Sequence, residues 1–218
     1  MCMTEQTIHE HALKLAVKED FEYAISHGII VSNLAYYVSK ELGETEEFCS
    51  DMAMAGMLHD IGKLKLCKYL YGRNKDTLKI EEMKYVRMHS TFSYRILKEM
   101  DYSERILKAV YYHHENYDGT GYPDNLKGKD IPREARILRT CDVFAALVSD
   151  RPYRGAFDIE TAIELMIEEI KNFDMEVFLA FQRFINSDDF EEVKQLISEK
   201  DKLKRDKKSQ EKSNRKKS

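Results

Sequence analysis

The feature that most constrains this chain is the run from His113 to Pro123, HHENYDGTGYP. It sets two adjacent imidazoles, two carboxylates and two glycines within eleven residues. Neutral imidazole and carboxylate are ligands for first-row transition metals. Asp118-Gly119 and Gly121 signal backbone turns, and Pro123 prevents a helix from continuing. Two candidate ligands therefore stand where an apolar helical run ends and a tightly folded loop begins. Alone, such a pair is more often ordinary surface or core, so its meaning depends on what the rest of the chain brings to it.

The remainder reads as helix. Only three prolines and nine glycines occur in 218 residues, which disfavours a many-turned β fold and predicts an all-α architecture. Apolar residues recur at helical spacing over 21–42, with Gly43 placed as a C-terminal cap, and an acid-rich start at 44–47 opens the next helix. Further helices are expected over 79–100, with His89 near the middle, and over 102–115. Pro132 is placed as the first residue of a helix reaching Ser149, and three more follow over 159–171, 174–185 and 190–199. The organisation expected is a short N-terminal helix over 1–20, one domain over 21–199, and a disordered tail over 200–218.

Charge separates the tail from the body. From Lys202 to Ser218, nine Lys or Arg against Asp206 and Glu211 give +7; with a total of -4, the rest of the chain stands at -11. An acidic body argues against a duplex nucleic acid spread over its surface. Cys2, Cys49, Cys67 and Cys141 show no CxxC spacing, which implies reduced thiols rather than a disulfide framework. The N-terminus lacks the basic start and apolar core of a signal peptide, and no apolar run approaches the roughly 20 residues of a membrane span. A cytoplasmic protein is the expectation.

Other candidate ligands lie far apart in the sequence. His27 falls on the inward stripe of its helix, and taken alone it reads as a hydrogen-bonded core histidine rather than a ligand. His59-Asp60 closes a helix just before Gly62, and Lys63 follows Asp60 by three residues, on the same side. Asp142 sits inside an apolar run, where an unpaired carboxylate is costly. His9 and His11 read as solvated surface. Five histidines (27, 59, 89, 113, 114) with Asp60 and Asp142 supply enough donors for two metals, a clamp suited to in-line displacement at phosphorus by a bridging hydroxide.

These residues resemble the HD-GYP family, a branch of the HD phosphohydrolases. The similarity rests on HDIGK at 59–63, HHExxDGxGYP at 113–123, IPREARIL at 131–138, Asp142, and DRPYR at 150–154, and spans about residues 21–186. It implies an all-α phosphodiesterase acting on a cyclic dinucleotide, usually cyclic di-GMP, giving pGpG and in some members GMP. By that resemblance His27, His59, Asp60, His89, His113, His114 and Asp142 are metal ligands, with Asp60 the bridge between two divalent ions, iron or manganese. Lys63 is implied at the scissile phosphate, with Asp60 the other catalytic residue. Tyr122 and Gly121 are implied beside the substrate, and Arg151 and Arg154 on its phosphates, as guanidinium chemistry also favours. Capping of a helix C-terminus is the alternative for both arginines. Tyr23 stands where some members place a glutamate for a third metal, so two are expected. Two other readings compete: a non-catalytic cyclic di-GMP receptor that signals through a protein partner, and a phosphohydrolase for another nucleotide such as cyclic GMP-AMP.

Overall fold

The computed structural model describes residues 24–65, 86–150 and 154–198. The expectations for 1–20, Tyr23, Arg151 and the basic tail lie outside these residues. Among the described residues the regular structure is helical and contains no β-strand. The helices are α1 (24–41), α2 (Glu46–Leu58), α3 (His89–Glu99), α4 (Glu104–Tyr112), α5 (Arg133–Leu147), α6 (Ile159–Glu168), α7 (Met175–Ile185) and α8 (190–198).

Local chemistry fixes the helix ends. Thr45, Ser103 and Asp158 each accept a hydrogen bond from the backbone N–H three residues on, satisfying donors that the first turn leaves orphaned. Gly43 ends α1 at a φ of 76°, as its cap position predicts. Pro132 proves to be the N-cap of α5 rather than its first helical residue. Of the helix expected over 79–100, the described part is helical at 86–87, turns at Met88 and continues as His89–Glu99. There the imidazole Nδ1 donates to the Val86 carbonyl, tying the side chain to the turn before the helix.

Helix α4 is central and packs against α2, α3 and α5. Its Ile106, Leu107, Ala109 and Val110 are buried. On the far side of α5 the core is aromatic: Phe144, Phe181, Phe184 and Phe190 interlock, with Phe144 5.0 Å from Phe181 and Phe184 5.5 Å from Phe190 between ring centroids. Each fully buried side chain of this size stabilises the fold by about 1.5–3 kcal/mol. The start of α5 is pinned by charge, since Arg136 pairs with the buried Asp174, while Arg133 reaches Glu44 and Glu176.

Glycines set how closely the ligand-bearing helices approach. A Cβ on Gly56 would stand 2.8 Å from Ser32 Cα, so α2 crosses α1 backbone to backbone and brings His59 beside His27. A Cβ on Gly62 would lie 2.2 Å from the His89 carbonyl. The turn after α2 thus rests directly on the start of α3, where Gly62 N–H donates to Ser93 Oγ at 2.8 Å.

Candidate metal centre

Five segments converge. α1 brings His27, the end of α2 brings His59 and Asp60, the start of α3 brings His89, the end of α4 brings His113 and His114, and α5 brings Asp142. All seven expected ligands meet in three overlapping groups: His27, His59 and Asp142; His59, Asp60 and His113; His89, His113 and His114. Within each group the donor atoms lie within 4.8 Å of one another.

Three of the imidazoles are oriented by the same device. The Nδ1 atoms of His59, His89 and His113 lie 2.8, 2.6 and 2.7 Å from the carbonyls of Gly56, Val86 and Val110. A carbonyl only accepts, so each Nδ1 donates its proton there and each Nε2 is aimed into the cluster. At the ends of α2 and α4 these carbonyls belong to the last turn, where helical donors run out.

The Nε2 atoms then crowd together. His89 Nε2 lies 2.9 Å from His114 Nε2 and 3.3 Å from His113 Nε2. Burial, together with the neighbouring His59 and His89 imidazoles, pushes His113 down to about 3. Burial and His113 hold His114 well below its ordinary value. Each ring is thereby kept neutral, and the Nε2 lone pairs of His89 and His113 share one small space beside His114 Nε2. His59 differs: burial opposes charge, but Asp60 and Asp142 overcome it and push the imidazole up to about 10. His59 Nε2 and Asp60 Oδ1 are sealed from solvent without a hydrogen-bond partner. Clustered imidazole lone pairs and a buried carboxylate oxygen with no hydrogen-bond partner are the chemistry that a cation satisfies, so the residues fit divalent metal ions.

Asp60 faces both halves of the cluster. Its Oδ2 lies 3.3 Å from His59 Nε2, and its Oδ1 lies 3.3 Å from His89 Nε2. Burial would raise its pKa, yet Lys63 and His59 hold it well below the usual carboxylate range. Lys63 Nζ sits 2.5 Å from Asp60 Oδ2 with 45% of its side chain exposed, reachable from solvent. Asp142 Oδ1 lies 2.9 Å from His27 Nε2 and 3.5 Å from His59 Nε2. Those imidazoles hold it low against the opposing effect of burial.

The other expected site residues occupy more varied places. Tyr122 stacks on His114 with ring centroids 4.6 Å apart, and the Arg87 guanidinium stands 5.3 Å from its centroid. Gly121 is buried, and a Cβ there would meet the Asn116 nitrogen at 2.2 Å, so its place is set by the close approach of two backbones. Arg154 caps α5: its guanidinium donates to the Ala146 and Leu147 carbonyls and lies 4.2 Å from the Phe157 centroid.

Two further residues had no assigned role. Glu115 is buried, and its carboxylate accepts from the N–H groups of Asp124 and Leu126 at 2.7 and 3.1 Å, folding the loop back onto the histidine pair. Arg139 donates to Asn116 Oδ1 at 2.8 Å. Glu115 is adjacent to the ligands in sequence, but nothing in the pattern states which backbone groups it holds.

The HD domain family matches residues 5–177, and the chain belongs to it as a member of the HD-GYP type. Among curated relatives, it is 33% identical over 180 residues to a cyclic di-GMP phosphodiesterase of Pseudomonas aeruginosa, covering 81% of this chain and 43% of that protein. It is 30% identical over 165 residues to 3'3'-cGAMP-specific phosphodiesterase 3 of Vibrio cholerae, covering 75% of this chain and 36% of the relative. The chain thus spans less than half the length of either. Among solved structures it shares its fold with Bd1817, an HDG"Y"P protein from Bdellovibrio bacteriovorus. That match has a TM-score of 0.61 and 18% identity, over 75% of this chain and 53% of the other. No described helix is long and apolar enough to cross a membrane.

Proposed function

We propose that this chain is a metal-dependent phosphodiesterase that opens a cyclic dinucleotide, cyclic di-GMP, to linear pGpG. The observation that carries the reading is Asp60, whose two oxygens face two separate imidazole sets at 3.3 Å each. In this reading His27, His59 and Asp142 hold one divalent ion, His89, His113 and His114 hold a second, and Asp60 bridges them. Iron or manganese suits such an N/O donor set. When bound, a metal pair supplies Lewis acidity toward a phosphoryl oxygen and lowers the pKa of water.

The protein's own groups then have definable tasks. The Lys63 ammonium, positioned by Asp60, faces solvent where a phosphodiester would arrive and can give its proton to the departing ribose oxygen. Tyr122, braced on His114, offers its exposed edge to a base. Arg151 is assigned to the substrate phosphates, whereas Arg154 reaches them only by giving up its cap on α5. Cyclic di-GMP and 3'3'-cGAMP both remain in the substrate class, since relatives named for each resemble the chain at 33% and 30% identity.

The test is direct. Protein purified anaerobically is analysed for metal, incubated with cyclic di-GMP or 3'3'-cGAMP, and its products are resolved by chromatography. Two metals per chain and a linear dinucleotide product are expected. Tight binding of cyclic di-GMP with no product would replace the enzyme with a receptor. A reproducible value near three metals would overturn the two-ion stoichiometry.

A further inference from the structure

Among the described residues Arg139 pairs with no carboxylate. It lies three residues before Asp142 on α5, hence on the same helix face. Its guanidinium is half-buried, and among the described residues no carboxylate lies within ion-pair distance of it. One Nη2 hydrogen bond, to Asn116 Oδ1 at 2.8 Å, is its sole hydrogen bond among those residues. Its Nε is sealed from solvent with no partner. Burial lowers its pKa against the opposing pull of the Asp142 carboxylate, so it stands at the edge of the ligand cluster. A half-buried guanidinium whose Nε is sealed without a partner is costly unless an anion completes it.

Asn116 explains how the side chain is held. Its carboxamide oxygen accepts from Arg139 while its nitrogen donates to Thr120 Oγ1 at 3.0 Å, and Thr120 is tied to Asp118. The guanidinium is therefore clamped to the loop by one edge, and Nη1 is left to a ligand. Two other arginines are used differently: Arg105 pairs with Asp51 at 2.6 Å and Arg133 with Glu44 at 2.6 Å. A planar donor edge held beside metal-binding residues suits the non-bridging oxygens of a phosphodiester.

We propose that Arg139 is a substrate-binding residue whose guanidinium, positioned by Asn116, grips the phosphodiester seated at the metal centre. The proposal rests on the phosphodiesterase reading for the identity of the ligand, but not for the presence of an anion site. Charge-assisted hydrogen bonds of this kind contribute about 1.5–3 kcal/mol, or roughly ten- to a hundredfold in affinity.

Calorimetry on metal-loaded wild type, Arg139→Met and Asn116→Ala tests it, with inorganic phosphate and cyclic di-GMP as separate probes and metal content measured in each sample. Arg139→Met is expected to weaken both ligands at least tenfold with metal content unchanged, and Asn116→Ala to weaken them no more than about threefold. Equal affinities in Arg139→Met and wild type would overturn the proposal. Equal losses in the two variants would do the same, because Arg139 would then act only by bracing the loop. Should Arg139→Met fail to fold, Arg139→Lys keeps the charge and stem without the planar edge, and wild-type affinity in that variant also overturns the assignment. Phosphate binding that depends on Arg139, without any binding of cyclic di-GMP, leaves the anion site standing and removes the cyclic-dinucleotide reading instead.

Discussion

The ligand cluster and the aromatic core lie on opposite sides of α5, and they obtain order by opposed means. Around Phe144, Phe181 and Phe184 the packing is aromatic ring against aromatic ring, Tyr37 stacking on Phe184 at 4.9 Å. Around Asp60, buried groups are held in conflict: His113 is pushed down to about 3 while His59 is pushed up to about 10. The first region stabilises the fold without help. The second is positioned by the fold and awaits charge from outside it. The proposed site thus lies where buried charge works against the fold.

The largest effect should come from breaking the cluster alone. Asp60→Ala is expected to abolish hydrolysis and strip both metals while the helical circular dichroism spectrum persists. Normal turnover in metal-depleted Asp60→Ala protein would defeat the mechanism. Breaking the core alone is the complementary case. Phe144→Ala should cost about 3–5 kcal/mol in a denaturant titration, with metal stoichiometry unchanged in the protein that remains folded. A loss of metal before any unfolding would mean that the two regions are not separable.

Gly62→Ala attacks the join between them. The added methyl would meet the His89 carbonyl, so His89 must move relative to Asp60. A shift near 1 Å costs about a hundredfold in activity, to be read as turnover at saturating metal against a nearly unchanged melting temperature. Activity within twofold of wild type would show that the turn can yield without disturbing the ligands.

The smallest and most diagnostic effect is that of acid on chelator-treated protein. His27, His89, His113 and His114 are all lowered from an ordinary 6.5. As pH falls from about 6.5 towards 3, the unfolded chain therefore binds more protons at these positions, and stability falls. His59 acts in the other direction: the stability it contributes is fully present below 6.5 and is lost as pH rises towards about 10. Melting temperatures should peak near neutrality, fall on the acid side, and show a shallower acid slope in His113→Asn. An unchanged slope in that variant would argue against the crowded lone pairs.

Much of this was legible in the sequence, for physical reasons. Asp142 announced itself as a carboxylate in an apolar run, and His27 by its place on an inward stripe; both reached the cluster. The helical elements followed from apolar spacing and caps, with ends displaced by a few residues where side chains such as Ser103 set the boundary. Contacts between segments distant in sequence were not legible. Gly62 looked like a bend, whereas its necessity is the backbone of α3 lying against it. Arg139 drew no reading from the sequence, because nothing local says that, among the described residues, it pairs with no carboxylate. Arg154 could be read as a phosphate contact or a helix cap, and only the positions of Ala146 and Leu147 distinguish the two.

Glu115 bears on how such a protein can change. Its carboxylate grasps the backbone at 124 and 126 from the residue beside the paired histidines. The loop is thus latched to the ligands by its own backbone, whatever side chains it carries. Its surface-facing positions can diverge freely, but its length cannot, because one inserted residue between 116 and 123 would throw those two amides out of register with their acceptor. Transplanting the loop from a distant homologue should therefore succeed only when His113 to Leu126 travels as one cassette.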